Sequence, residues 1–379
     1  MVATHRARVV VAPDKFKGSC SAAAAAAALI AGLRDVWRDA PDYVALPMAD
    51  GGEGTVATFL QSGADARTIA VRGPLGEPVQ ATYARAGDVA IIEMAAASGL
   101  ALASGRRDVR RATSYGTGEL LRDALDAGAK QIILGIGGSA TSGGGAGALA
   151  ALGARFYDAG GAELAPDPVS LARLARVDIA GLDPRLQAAS IAVACDVDNP
   201  LLGPQGAAAV YGPQKGADDD DVAFLEGVLA RLADAGAAAT GRDLRDVPGA
   251  GAAGGLGWAL ATFAGARLAP GFDLIAEERR LPDYLAGATL CITGEGRIDA
   301  QTLRGKVVDG VAALARPLGI PVIAFGGSIE RAAEPALWKR GIGCVAIVDA
   351  PMPLTDAMRD APVLLRYAAA RFARLRAPI

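Results

Sequence analysis

Histidine is almost missing from this sequence, and its scarcity narrows the kinds of active site to consider. Among 379 residues, only His5 is a histidine. A Ser–His–Asp triad, a Cys–His pair and a histidine-ligated zinc site are therefore not expected. A general base has to be Asp, Glu or Lys. A bound metal ion is expected to be a hard cation held by oxygen, such as Mg²⁺.

Cysteine, long apolar runs and charge of one sign are also scarce. The four cysteines lie far apart and form no CxxC pair, which favours free thiols in a reducing cytosol. No apolar segment reaches the ~18–20 residues of a membrane span, and segment 1–8 does not resemble a signal peptide. The formal charge is -3, and the only long run of one sign is 218–221.

We expect a cytoplasmic protein with small-molecule partners and neither a nucleic-acid nor a membrane partner. Assembly into a homo-oligomer is left open.

Short apolar runs that end at Gly, Asp or Pro alternate with helical patterns. Continuous rather than alternating apolar runs indicate strands buried on both faces of a parallel sheet. The predicted strands are 8–12, 43–46, 79–83, 89–93, 131–134, 190–194, 289–292, 321–325 and 344–348. The predicted helices are 22–38, 117–127, 310–318 and 356–375. This alternation predicts an α/β protein with a Rossmann/flavodoxin-like parallel-sheet domain.

The chain is long enough for two domains, since a single core stops growing at roughly 250–300 residues. Both chain ends carry the continuous apolar strands, whereas the middle mixes alternating strands, loops and helices. We therefore expect the parallel-sheet domain to comprise 1–65, 105–150 and 285–379. A second mixed α/β domain, comprising 66–104 and 151–284, is expected to be inserted into it.

Four loops combine glycine with polar residues directly after a predicted strand, where ligands of parallel sheets bind. Their candidate residues are Asp14, Lys17 and Ser19; Asp50, Gly51 and Gly52; Gly137, Gly138, Ser139 and Thr141; and Glu295, Arg297 and Asp299. The first loop could meet a phosphate or carboxylate at a helix start, or be a solvated surface loop. The second could let the backbone approach a ligand, or be a tight turn with an acidic helix cap.

The other two loops have clearer chemistry. The third offers backbone N–H groups and hydroxyls that could cradle an anion, although close glycine packing is the alternative. It is not a Walker A loop, because no Lys follows. In the fourth loop the carboxylates suit Mg²⁺ and Arg297 or Lys306 suits phosphate, with ion-paired surface charges as the alternative.

Two motifs in the second domain carry further candidates. Asp196 follows strand 190–194, with Asn199 close behind, and Lys215 follows in the next glycine-containing motif. Asp196 could hold and deprotonate a substrate hydroxyl, although an Asx turn before Pro200 would also explain it. Acids and bases without histidine, oxygen ligands and anion-binding loops together indicate phosphoryl transfer.

Nine ordered motifs give the chain a family resemblance. They are 12–19, 47–55, 93–100, 113–119, 135–141, 195–201, 212–217, 248–257, and 293–297 with Asp299 and Gln301. With these motifs the chain resembles the bacterial glycerate kinases of the two-domain type. The resemblance implies ATP-dependent phosphorylation of D-glycerate, usually at the 2-hydroxyl, with ATP and Mg²⁺ as cofactors. Two departures from the family pattern stand out: Ser142-Gly143 replaces Asn-Asp, and Val308 replaces a proline.

On this resemblance we assign roles as hypotheses. Asp196 accepts the hydroxyl proton and Lys215 neutralises the transferring phosphoryl. Lys17, Arg297 or a glycine-loop N–H meets the glycerate carboxylate. The expected metal ligands are Asp50, Glu295 and Asp299. The expected substrate and phosphate contacts are Asp14, Ser19, Gly51, Gly52, Gly137, Gly138, Ser139, Thr141, Asn199 and Arg297. The alternatives are a kinase of another small sugar acid or polyol and a non-catalytic two-domain ligand-binding protein.

Overall fold

The chain forms two compact units. The computed structural model describes residues 6–303 and 305–376. One unit comprises Met1–Asp50 and Phe272–Ile379, and the other comprises Gly51–Gly271. The first unit is thus made from both chain ends and the second is inserted, which confirms the predicted architecture. His5 and part of the N-terminal segment 1–8 lie outside the described residues.

Strands and helices alternate along most of the described chain. The strands are β1 Arg8–Val11, β2 Asp42–Ala45, β3 Asp65–Arg72, β4 Pro78–Ala86, β5 Val89–Glu93, β6 Gln131–Gly135, β7 Arg155–Asp158, β8 Glu163–Leu164, β9 Leu174–Asp178, β10 Ser190–Ala194, β11 Arg267–Ala269, β12 Leu290–Ile298, β13 Val322–Ile329 and β14 Ile342–Ala346. The helices are α1 Ala22–Trp37, α2 Thr55–Gln61, α3 Ala95–Ser98, α4 Tyr115–Asp126, α5 Ala146–Ala151, α6 Pro168–Leu171, α7 Arg185–Ala188, α8 Ala207–Tyr211, α9 Asp219–Thr240, α10 Ala252–Ala264, α11 Gly271–Glu278, α12 Leu281–Leu285, α13 Val307–Ala315, α14 Glu334–Lys339, α15 Leu354–Arg359 and α16 Ala361–Leu375. Two 3₁₀ turns span Pro213–Lys215 and Arg316–Leu318.

The first unit contains a parallel sheet in the order β14-β13-β12-β1-β2. Numbered within the unit alone, this is the doubly wound order 2-1-3-4-5, as the flavodoxin-like prediction expects. The chain leaves β1 and β12 towards opposite edges of the sheet. Such a switch point leaves a crevice at the carboxyl ends of the two strands, and ligands bind there in this fold class.

Helices α1 and α16 pack on one face of that sheet. The Ser21 side chain accepts a hydrogen bond from the Ala24 N–H and so caps α1, and the alanine run favours the helix. Leu29 and Leu33 of α1 join Leu365 of α16 in a fully buried cluster. Gly32 lies where the two helices meet, and a Cβ there would lie 2.1 Å from the Arg366 carbonyl oxygen. The close approach therefore depends on this glycine.

The second unit contains a mixed sheet in the order β11-β10-β6-β5-β4-β3. Strands β5, β6, β10 and β11 pair with one another in parallel. Strand β4 pairs antiparallel with β5 on one side and with β3 on the other. A smaller antiparallel sheet has the order β8-β7-β9. Because the four parallel strands point the same way, the segments after Glu93, Gly135, Ala194 and Ala269 lie at one edge of the sheet.

The unit boundaries differ from the predicted domain boundaries. Residues 51–65 and 105–150 belong to the second unit, and 272–284 belong to the first. Strand β6 causes most of the difference, because it pairs with β5 on one side and β10 on the other. Its apolar sequence fits a buried parallel strand of either sheet, so only the observed pairing shows that β6 belongs to the second unit.

Two helices also differ from prediction. Segment 356–375, expected as one helix, is two helices, α15 and α16, separated at Asp360. Pro362 lacks an N–H and disfavours helical backbone before it, so a new helix begins there. Helix α13 begins at Val307, before the predicted start, and its last turn continues as a 3₁₀ turn.

All four cysteines are free, as the sequence predicts. Within residues 6–303 and 305–376, no helix combines the length and the apolar character that crossing a bilayer requires.

The helix contact gives a matched pair of glycine substitutions. G32A is expected to lower the free energy of unfolding by about 1–3 kcal/mol, because its methyl group would overlap α16. At Gly227 in α9 no atom lies within 4 Å of the new Cβ, so G227A is expected to raise the free energy of unfolding by about 0.5–1 kcal/mol. Urea unfolding measures both, and equal effects of the two substitutions would contradict the packing argument.

Candidate active site

The loops after β1 and β2 meet the second half of β12 at the carboxyl edge of the first unit's sheet. The Asp14 N–H donates to the Gly294 carbonyl at 2.9 Å, and the Met48 N–H donates to the Pro13 carbonyl at 2.9 Å. Strand β12 continues beyond the end of β1, so its second half runs beside the β1 loop. Three candidate loops that are far apart in sequence are thereby joined by backbone hydrogen bonds.

Asp14 is the most perturbed carboxylate of this edge. Its side chain is buried, with 7% exposed, and the Lys15 N–H donates to its Oδ1 at 2.7 Å. Burial first, and the negative charge of Asp50 second, raise the pKa of Asp14 to about 7. The charge of Lys15 opposes this rise, and Glu295 adds to it. Asp14, Asp50 and Glu295 are therefore close enough to repel one another.

Glu295 lies on β12 and is also buried. Burial raises its pKa above the usual range, whereas the Thr302 hydroxyl, which donates to its Oε1 at 2.6 Å, and the Lys306 charge hold it down. Asp50 again contributes a repulsion. A carboxylate held this way is rigid and has a neighbouring cation, as a phosphate-handling site requires.

Asp50, Glu295 and Asp299 are the residues that the sequence proposes as metal ligands. Within the described residues, no group of three or more His, Cys, Asp or Glu side chains is arranged to hold a metal ion. A Mg²⁺ ion that enters with phosphates needs only one or two carboxylates, and repulsion among carboxylates favours a cation. Asp50 and Glu295 fit that lesser role. Asp299 is occupied differently: its Oδ2 lies 3.1 Å from Arg297 Nε, and its Oδ1 accepts the Gln301 N–H.

The remaining predicted residues of the first unit are placed as follows. Arg297 is 71% exposed despite its ion pair, so its guanidinium can reach a ligand. Lys17 is exposed, and its backbone lies close to β12 because Gly296 of that strand has no side chain. The Ser19 hydroxyl donates to the Met358 carbonyl, so it holds the loop rather than pointing to a ligand.

In the second unit, Gly51 lies against the ends of β6 and β10. Its φ of +78° suits glycine, and a Cβ there would lie 2.4 Å from Ala194 Cβ. A Cβ on Gly135 would lie 2.2 Å from the Gly51 carbonyl oxygen. Gly52 lies close to Gly137, since a Cβ on Gly137 would be 3.7 Å from Gly52 Cα. The second and third glycine loops therefore meet at the edge of this sheet.

The third loop exposes its backbone at the two glycines that closely follow the end of β6. Gly137 and Gly138 are exposed, whereas Ser139 and Thr141 are buried. The Leu100 N–H donates to the Gly138 carbonyl at 2.8 Å, which ties the loop to the segment after β5. An exposed glycine backbone held from behind is the arrangement that the anion-cradle hypothesis expects.

Asp196 and Asn199 follow β10, and they differ in what they can do. Asp196 is exposed, and its Oδ1 accepts the Gly271 N–H at 2.8 Å, which orients the carboxylate. Asn199 donates to the Gln205 carbonyl at 2.8 Å and accepts from the Tyr211 hydroxyl. The amide of Asn199 is thus committed to its own loop, while Asp196 lies at the surface of the sheet edge.

Lys215 is placed differently from expectation. Its side chain is buried, with 2% exposed, and Nζ donates to the Thr141 carbonyl at 2.6 Å. Burial lowers the pKa of this lysine to about 7. Nζ thus contacts the glycine loop from inside the unit, and the predicted role of Lys215 at the phosphoryl group stays a prediction.

Some residues of these edges were not among the candidates. Lys15 opposes the rise in the pKa of Asp14, and Thr302 holds Glu295. Lys306, which the sequence offered as an alternative to Arg297 at a phosphate, lowers the pKa of Glu295. Glu93 ends β5, and its Oε1 accepts the Val56 N–H at 2.7 Å, at the start of α2. Lys15 and Glu93 lie inside motifs of the sequence and could have been found there. The position of Thr302 on Glu295 follows only from the fold.

The sequence of this chain is similar to those of known proteins. The model described as "Glycerate kinase family" matches residues 9–377. The glycerate kinase of Bacillus subtilis (strain 168) is 48% identical over 360 residues, with 93% of this chain and 94% of that protein covered. The glycerate 2-kinase of Escherichia coli (strain K12) is 48% identical over 326 residues, with 85% of each chain covered.

A solved structure is similar over the whole chain. It is the crystal structure of a protein described as a proposed glycerate kinase 2 from Salmonella typhimurium LT2. The TM-score is 0.89 at 46% sequence identity, and 98% of each chain is covered.

The pKa of Asp14 predicts a pH-dependent stability. Its folded pKa of about 7 lies above the unfolded value of ~4, so the folded state binds more protons between these values. Stability conferred by the protonated form is therefore lost as pH rises from about 4 to about 7. In metal-free buffer D14N, which mimics the neutral form, is expected to be more stable than the wild type above pH 7. The difference is up to about 4 kcal/mol and vanishes near pH 4.

The control for this experiment is D42N, because Asp42 is exposed on β2 of the same unit. D42N is expected to follow the wild type at every pH in thermal unfolding. A D14N protein that is less stable than the wild type at pH 8 would show that burial does not dominate at Asp14.

Proposed function

Because the chain belongs to the glycerate kinase family, we propose that it transfers the γ-phosphoryl group of ATP to the 2-hydroxyl of D-glycerate, giving 2-phosphoglycerate. The family match over nearly the whole chain is the observation that supports the kinase activity. The name of the E. coli relative, glycerate 2-kinase, supports the 2-hydroxyl as the acceptor.

Asp196 is our proposed general base. It is exposed at the end of β10, and its orientation is fixed by the Gly271 N–H. A bond forms between the substrate hydroxyl oxygen and the γ-phosphorus, and the bond from that phosphorus to the departing ADP breaks. The hydroxyl proton passes to Asp196. Of the candidate acids and bases in the second unit, Asp196 combines exposure with a held carboxylate, whereas Lys215 is buried.

The anionic parts of the substrates are assigned to the glycine and basic loops. Backbone N–H groups at Gly137 and Gly138 are proposed to bind an anionic group, and exposed Lys17 and Arg297 are proposed to meet a carboxylate or phosphate. Mg²⁺ bound with ATP supplies neutralisation of phosphate charge, and Asp50 and Glu295 are the residues that would hold it. The buried, mutually repelling carboxylates of this edge favour such a cation.

We place this reaction in the cytosol, because all four cysteines are free.

The purified protein with D-glycerate, ATP and Mg²⁺ is expected to form 2-phosphoglycerate. Phosphorus and carbon NMR of the product identifies the phosphorylated oxygen. Formation of 3-phosphoglycerate would contradict the proposed acceptor. Turnover of another sugar acid or polyol in a substrate panel, without turnover of D-glycerate, would contradict the proposed substrate.

D196N is expected to lower kcat by about 10²–10⁴-fold, because it removes the proton acceptor while keeping the shape of the side chain. The matched control is D198N, since Asp198 is also exposed and lies on the same loop. D198N should keep kcat within about threefold of the wild type, a change below 1 kcal/mol. Coupled detection of glycerate-dependent ADP release measures both. Near wild-type turnover by folded D196N would remove Asp196 from the mechanism.

A further inference from the structure

Lys215 is buried although the chain around it lies at the surface. It ends the 3₁₀ turn Pro213–Lys215, whose other residues, Pro213 and Gln214, are exposed. Gly216 follows with a φ of +100°, and a Cβ there would lie 3.4 Å from Arg107 Cβ. Arg107 Nη1 donates to the Gln214 carbonyl at 3.2 Å. The turn is therefore held from outside while the lysine side chain points inwards.

The ammonium group of Lys215 meets the glycine loop. Nζ donates to the Thr141 carbonyl at 2.6 Å, and no ion pair of the described residues involves Lys215. Burial alone lowers its pKa to about 7. The charged or titratable groups of neighbouring segments are Arg107, Tyr211 of α8 and the acidic start of α9 at 218–221, and none of them contributes to that change.

Stability does not explain a lysine at this position. A buried charge without an anionic partner destabilises a fold, and an apolar side chain of similar volume is often neutral or stabilising there. The loop that receives this hydrogen bond contains another buried polar group whose hydrogen-bonding capacity is not satisfied. The Ser142 hydroxyl, next to Thr141, is fully buried and has no hydrogen-bond partner.

The Thr141 carbonyl is also confined from its other side. Gly254 packs so closely that a Cβ there would lie 2.1 Å from the Thr141 oxygen, and the Gly144 N–H donates to the Gly254 carbonyl at 2.8 Å. The Thr141 peptide, three residues after Gly138 in the same loop, is thus fixed by Gly254 and by Lys215. The ammonium group of Lys215 contacts this loop from the interior of the unit.

We propose that Lys215 is a positioning residue: its buried ammonium fixes the Thr141 carbonyl and gives the glycine loop a positive charge that a bound anionic oxygen at Gly137 and Gly138 neutralises. This rests on the anion-binding role proposed above for the loop. The anion is a phosphate or a carboxylate oxygen, which the two substrates carry. Because an anion favours the charged lysine, binding is coupled to proton uptake.

K215M tests the proposal by kinetics. Methionine fills a similar volume without charge or hydrogen bond, so the variant should unfold at the same temperature as the wild type or higher. Its kcat/KM should nevertheless fall by about 100-fold, since the loop loses its fixed position and its charge. A rise in the KM of ATP would identify a phosphate as the anion, and a rise in that of D-glycerate would identify the carboxylate. The control is K130M, because Lys130 is 81% exposed in the same unit.

A kcat/KM of K215M within about threefold of the wild type for both substrates would overturn the proposal. So would a loss of activity that merely follows a loss of stability.

A second measurement uses the wild type and does not depend on turnover or on the variant's folding. The chain has only six lysines, so NMR of lysine-labelled protein can follow each side chain. One lysine is expected to titrate near neutral pH, and its pKa should rise by at least about 1 when ADP, inorganic phosphate or D-glycerate binds. Absence of such a lysine, or a titration that none of these ligands changes, would overturn the proposal. If D-glycerate is not phosphorylated but phosphate moves this titration, the inference stands and the proposed function falls.

Discussion

The parallel pairing of β1 with β12 determines much of this molecule. Val9–Val11 lies beside Leu290–Ile292, although about 280 residues of chain separate them. This pairing places the first and last parts of the chain in one sheet and leaves everything between Gly51 and Gly271 as an insertion. It also creates the switch point at which the loops of Asp14 and Glu295 meet. Without it, the carboxylates of the first unit would have no common edge.

Much of the fold could be predicted from local patterns. The continuous apolar strands and the alanine-rich first helix are properties of short segments, and both are confirmed. The membership of β6 in the second unit could not be predicted, because its sequence suits a buried parallel strand of either sheet. Likewise, the break at Asp360 depends on a proline that a helix can accept in its first turn but not in its interior.

The candidate site, like the fold, has features that the sequence predicts and features that it does not. Glycines and charged residues at strand ends could be found by composition, and nearly all of them lie at the carboxyl edges of the two sheets. The sequence does not show whether a polar side chain faces solvent or the interior. Lys215 and Ser19 lie in short polar motifs, as Asp196 does, yet Lys215 bonds to Thr141 and Ser19 to Met358. These contacts join distant segments, so no local pattern encodes them.

Burial brings the pKa of one carboxylate in the first unit and of one lysine in the second unit to about neutral. Asp14 in the first unit has its pKa raised, and Lys215 in the second has its pKa lowered, so both come to about 7. The causes differ, since Asp14 is also repelled by Asp50 whereas Lys215 is affected by burial alone. Groups of this kind are common where ligands bind, because a ligand of opposite charge restores the charged form.

The close packing of Gly51 has a consequence for how such a chain could arise. A Cβ on Gly51 would lie 3.0 Å from Gly271 Cα, so the first and last residues of the inserted unit are neighbours. An insertion whose two ends touch adds little closure entropy to its host, whatever its length. To the parallel sheet, the whole second unit is equivalent to a short surface loop between β2 and α11. The molecule can therefore be understood as a doubly wound domain that acquired a complete second fold at a loop position without altering its own strand order.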